Sequence, residues 1–110
     1  MKRLFLICAL LLLACKKDKK ISRNELKFNI GMELIKAEAS CGICMFNMNG
    51  NSCELAVKIN DEKYYVEGAD IDSFGDAHSD TGFCNAIRKV EIQGQVISNK
   101  FLLTYFKLEN

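Results

Sequence analysis

The 110-residue chain contains no proline. The loop that accompanies the CxxC pair of thioredoxin-like proteins is therefore missing, which weighs against a thioredoxin-like role for Cys41 and Cys44. Only one histidine is present, His78, so the paired histidines and the second CxxC that make a strong zinc signature are both absent. No apolar run is long enough for a spanning helix: the longest, Leu4 to Ala14, falls well short of the roughly 20 residues a bilayer needs. There is no internal repeat, phosphate loop, serine nucleophile elbow or dinucleotide fingerprint. Nor is there the basic excess on which nucleic-acid binding depends: the net charge is +1, and nucleic acid is not expected as a partner.

What is present begins at the N-terminus. "MKRLFLICALLLLAC" places Lys2 and Arg3 before the apolar run, the layout of an export signal. Leu12, Leu13, Ala14 and Cys15 resemble the lipobox of bacterial lipoproteins, in which a small residue precedes the acylated cysteine. Residues 1–14 are accordingly expected to be a lipoprotein signal peptide. Residues 15–31 would comprise the lipidated Cys15 and a flexible tether, and residues 32–110 a single cysteine-containing β-barrel domain. Acyl chains gain about 0.8 kcal/mol per buried methylene, so the partner implied is a membrane, reached by anchoring rather than by crossing. The basic "KKDKK" at 16–20 can rest against anionic headgroups. Lys16 after the cysteine does not resemble the aspartate that retains many lipoproteins at the inner membrane, so the expected location is the outer membrane of a bacterial envelope. Cleavage would remove Lys2 and Arg3, leaving 13 basic against 14 acidic residues and a net charge near −1.

From Glu33 onward the apolar pattern is mostly period two, which predicts strands. Ile35, Ala37, Ala39 and Cys41 share one face; Cys53, Leu55, Val57 and Ile59 form the cleanest alternation. "NDEK" at 60–63 reads as a turn into a third strand, Tyr64 to Glu67. "ISNK" at 97–100 joins a fourth strand carrying Val90, Ile92, Gly94 and Val96 to a fifth, residues 101–108. Between the third and fourth strands, Asp80 is placed to cap a short helix bearing Phe83, Cys84 and Ile87 on one side. The expected fold is mainly β: a small five-stranded barrel similar to the oligonucleotide/oligosaccharide-binding (OB) fold, with one short helix between strands 3 and 4.

"EASCGIC" at 38–44, "CELAVKI" at 53–59, "GDAH" at 75–78, "GFCNAIRK" at 82–89 and "VEIQGQV" at 90–96 resemble an uncharacterised family of short secreted or lipid-anchored bacterial proteins. The resemblance runs from about residue 33 to 108 and implies that four cysteines and His78 belong to one constellation. It implies no activity.

Of six cysteines, Cys8 leaves with the signal and Cys15 is used for lipidation. Cys41, Cys44, Cys53 and Cys84 remain, and an even count in an oxidising envelope suits disulfides. Cys41 and Cys53 can face each other at the base of a hairpin, leaving Cys44 to reach Cys84, although the sequence does not choose among the three pairings. A metal reading is also open: CxxC offers two thiolates from one loop, Cys53, Cys84 and His78 are candidates for the rest of a tetrahedral shell for zinc, and Met45 and Met48 add thioethers suited to copper(I). The third reading is a thiol redox protein or sensor using the Cys41/Cys44 pair, with His78 as the nearby base. Asp70, Asp72 and Asp76 fail as a calcium loop, because Phe74 and Thr81 stand where oxygen ligands belong. Phe46, Tyr64 and Tyr65 suit core and cross-strand packing better than a stacking platform. The function that follows is a membrane-anchored, non-catalytic binding domain whose cysteine and histidine cluster is either crosslinked or metal-bound.

Overall fold

Each stretch of period-two alternation becomes a strand in the computed structural model, which describes residues 26–109. The strands are β1 (Ile35–Cys41), β2 (Leu55–Ile59), β3 (Glu62–Glu67), β4 (Arg88–Ile97) and β5 (Lys100–Leu108). They close into a barrel in the order β1-β2-β3-β5-β4, with β4 returning to β1. Every pairing is antiparallel except β3 with β5, where Val66 sits opposite Phe101. The barrel interior is filled by Ala39, Leu55, Val57, Phe83, Val90, Ile92, Phe101 and Leu103. The export signal at 1–14, Cys15 and the basic run at 16–20 lie outside the described residues. Among the described residues no helix is long and apolar enough to cross a membrane.

Local chemistry explains the two tight hairpins. Asn60 and Asp61 between β2 and β3, and Ser98 and Asn99 between β4 and β5, all adopt positive φ. Turns with two such central residues match the twist of the strands they join, and asparagine and aspartate tolerate that conformation better than most side chains. Gly94 marks a register shift in the β4–β5 ladder. A β-carbon there would run into the carbonyl oxygen of Leu102 and come within 2.6 Å of the Phe101 ring, so the two strands can approach only because this position has no side chain.

The helix stands elsewhere than the sequence suggests. Residues 68–87, expected to hold a helix after an Asp80 cap, instead run as a succession of turns. Short polar side chains take the backbone groups a helix would use: Ser73 Oγ accepts the Asp70 N–H, Asp72 Oδ1 the Ala77 N–H, and Asp76 Oδ1 the His78 N–H. Such local bonds compete directly with helical ones. Phe83 is buried whereas Ile87 is exposed, so the one-sided pattern drawn through them does not correspond to a face. Among the described residues the single helix, α1 (Gly42–Met45), lies between β1 and β2.

Two features tie outlying segments to the barrel. The fully buried Gln93 donates through Nε2 to the carbonyl oxygens of Asn29 and Met32 and accepts the Asn29 N–H at Oε1. Residues 26–32, most of which belong to the stretch expected to be tether, are thus held on β4. Lys27 N–H adds a bond to Thr104 of β5. At the other end of β1, Ser40 Oγ lies 2.7 Å from the carbonyl oxygens of both Phe83 and Ala86. That contact pins the crossover segment to β1 where Phe83 joins the core, and it buries a polar residue that alternation alone would place in solvent.

Candidate metal centre

The end of β1, the start of β2 and the crossover segment meet at one end of the barrel, and each brings sulfur. Cys41 is the last residue of β1 and is fully buried, on the inward face beside Leu55, its partner in register. Its N–H bonds to the Phe83 carbonyl, and the N–H of neighbouring Cys84 bonds to Ala77. One hydrogen bond thus fixes the distance between β1 and the segment that carries Cys84. Cys44 stands on α1, whose first residue, Gly42, donates to Glu54 and so lies beside Cys53.

Glycine at 42 is a packing requirement. A β-carbon there would meet the Tyr65 ring, and one at Gly50 would come within 2.6 Å of the Tyr65 hydroxyl. The ring lies against both glycines while its hydroxyl donates to the Asn49 carbonyl at 2.7 Å. Lys63 Nζ holds the Phe46 carbonyl at 2.8 Å, and the Phe46 side chain is buried. Residues 42–50 are consequently fastened to β3 from outside the barrel. Tyr65 and Lys63 have no sequence motif that links them to the cysteines; only the glycines at 42 and 50 hint that something large lies over that loop.

The four sulfurs converge. Cys53 Sγ is 3.2 Å from Cys41 Sγ, 3.3 Å from Cys44 Sγ and 3.5 Å from Cys84 Sγ, and all four lie within 4.8 Å of one another. Four sulfurs arranged tetrahedrally at about 2.3 Å from a zinc ion would be separated by about 3.8 Å, slightly more than the three Cys53 distances and inside the 4.8 Å that bounds the group. The group does not divide into two pairs, because Cys53 touches each of the other three. All four are free thiols.

Crowding the sulfurs together separates their acidities. Burial opposes ionisation of Cys41, yet its thiol is held below the ordinary value of 9.0 by its hydrogen-bond contacts with the Cys53 and Cys44 thiols and by the nearby backbone N–H groups of Cys44 and Ile43. Its partners shift the other way: Cys44 is pushed up to about 12, first by its hydrogen bond to Cys41, and Cys53 to about 11 for the same reason. Cys84 is raised chiefly by burial. Ionisation is thus eased at Cys41 and opposed at the other three, and a cation at the centre would take the place of the thiol protons.

His78 is not brought into the group. Its side chain is 81% exposed and its nearest ionic neighbour is Asp76, at 4.0 Å. Asp72 and Asp76 act as turn staples, as their bonds to Ala77 and His78 show. A cleft lined by Cys53, Glu54, Asp70 and Asp72 among others borders the cluster.

A small closed β-barrel with a four-cysteine cluster at one end defines the class of this protein. The chain belongs to a family of unknown function, DUF6370, whose model matches residues 35–109. No curated protein and no solved structure matches it.

Proposed function

We propose that this domain binds one thiophilic metal ion, zinc in the first instance, through Cys41, Cys44, Cys53 and Cys84, and that it does so as a lipid-anchored protein of the bacterial envelope. The observation that carries the metal reading is the meeting of four sulfurs from three separate segments within 4.8 Å of one another. Structural disulfides alone would require only pairs. A tetrahedral all-sulfur donor set suits zinc or iron better than magnesium or calcium, which prefer oxygen. Copper(I) is the other soft candidate, with Met45 and Met48 on the same loop. The anchoring part of the proposal is supported by the ordered sequence of basic start, apolar run, small residue and Cys15.

The test is elemental analysis combined with native mass spectrometry of protein purified without chelator. One equivalent of metal and four alkylatable thiols after its removal is the expected result. A mass lower by four hydrogens, with no metal, would replace this reading with two disulfide staples. For the anchor, Cys15→Ser should abolish incorporation of labelled palmitate and move the protein to the soluble fraction; unchanged labelling would refute it.

A further inference from the structure

The four ligands proposed above are not equally protected: Cys41 is buried, Cys53 and Cys84 are half-buried, and Cys44 is exposed. A site that serves only to hold a fold together gains by closing all its ligands off from solvent. Here the exposed one is also well held, since α1 is fixed through Gly42 to Glu54 and the following loop through Phe46 and Asn49 to Lys63 and Tyr65. Cys44 is therefore presented at the surface by a rigid loop. We infer that the metal is cargo and that it leaves along the Cys44 edge, by ligand exchange with a thiol-bearing acceptor.

The inference rests on the metal reading and specifies how that site is used. In the exchange, an acceptor thiol gives its proton to solvent as its sulfur bonds the metal. The bond from the metal to Cys44 Sγ breaks, and Cys44 takes up a proton. No electrons change hands. Cys41, Cys53 and Cys84 keep the ion in place during this first substitution, so a mixed intermediate with three protein sulfurs and one acceptor sulfur precedes full transfer. Charge favours the same edge. The cleft on the Cys53 side carries the Glu54, Asp70 and Asp72 carboxylates, which repel an approaching thiolate, whereas α1 has no acidic residue.

The experiment uses the zinc-loaded protein and the dithiol dithiothreitol as acceptor, with a chromogenic zinc chelator reporting released metal. The expected rate of loss rises in proportion to dithiothreitol concentration, and brief treatment of the loaded protein with iodoacetamide modifies Cys44 ahead of the other three. The Cys44→Ala variant, left with three sulfur ligands, should hold zinc more weakly, by at least the roughly 10- to 100-fold in affinity that losing even an indirect partner of a metal ligand costs, and should hand it on faster. A rate independent of acceptor, or alkylation of Cys53 or Cys84 before Cys44, would overturn the inference while leaving the metal site intact. Failure of the unmodified protein to load zinc or any other thiophilic ion would instead remove the reading on which it rests. Should Cys44→Ala fail to fold, as judged by circular dichroism, Cys44→Ser provides the same comparison.

Discussion

Cys53 occupies an unusual position for a residue just outside a strand: its sulfur lies within 3.5 Å of three others. In the metal-free protein such crowding is tolerable only while most of the thiols keep their protons, and this gives stability a definite dependence on pH. Cys44 and Cys53, pushed up to about 12 and about 11, and Cys84, also raised, hold protons more tightly when folded than at the ordinary value of 9.0. Their contribution is fully present below pH 9 and is lost as pH rises toward 11 to 12. Cys41, lowered, acts in the opposite sense: its contribution is present above pH 9 and fades as pH falls through its own folded value. Three groups outweigh one, so chelator-treated protein should lose stability between pH 9 and about 12. Urea titrations across that interval, compared with the Cys44→Ser variant, check this; an equally steep loss in the variant would show that other groups are responsible. Loading with zinc should reverse the trend: the folded state then holds the thiols deprotonated while the unfolded chain keeps its protons below pH 9, so stability falls as pH drops rather than as it rises.

At the scale of elements, the strands were legible because one face of each is buried and the side-chain period is two. Val57, Val90 and Ile92 point inward as the alternation requires, and "NDEK" and "ISNK" turn where expected. What alternation does not reveal is that a strand's outer face can be covered too. Ser40 and Ala56 face each other in register and are both fully buried, and the crossover segment is hydrogen-bonded to Ser40 there. The misplaced helix has a related origin: residues 80–87 can be drawn as an amphipathic turn, but the aspartates and serines just before them satisfy the backbone locally, and this is settled by geometry that composition does not show. The four cysteines could be picked out from their spacing, but whether they pair or converge could not, since that depends on where residue 84 is carried by a long crossover. α1 yields its own prediction. In Gly42→Ala the new methyl group meets the Tyr65 ring, and overpacking of this kind costs about 1–3 kcal/mol. Combining it with Tyr65→Ala should recover part of that loss, a non-additivity that denaturation of the two single variants and the double variant would reveal.

For the molecule as a whole, the barrel has its own apolar core, so removal of metal should weaken the fold without abolishing it. This differs from zinc-finger peptides, which are unfolded without their ion. With free zinc about a thousandfold above its dissociation constant, binding to the folded state alone adds about 4 kcal/mol. In a domain of this size each kcal/mol is worth roughly 4–8 °C, so chelation should lower the melting temperature by about 15–30 °C while leaving a cooperative transition. A melting curve indifferent to chelator and to added zinc would contradict this.

The amide of Gln93 has a mechanical consequence. Because residues 26–32 are seized by β4 and β5 before the chain enters β1, tension arriving from the N-terminal side is absorbed by the longest hairpin of the molecule. β1, which ends in Cys41, is then not the first element to take that load, so a domain anchored from its N-terminal side, as proposed above, would keep the geometry of its sulfur nest.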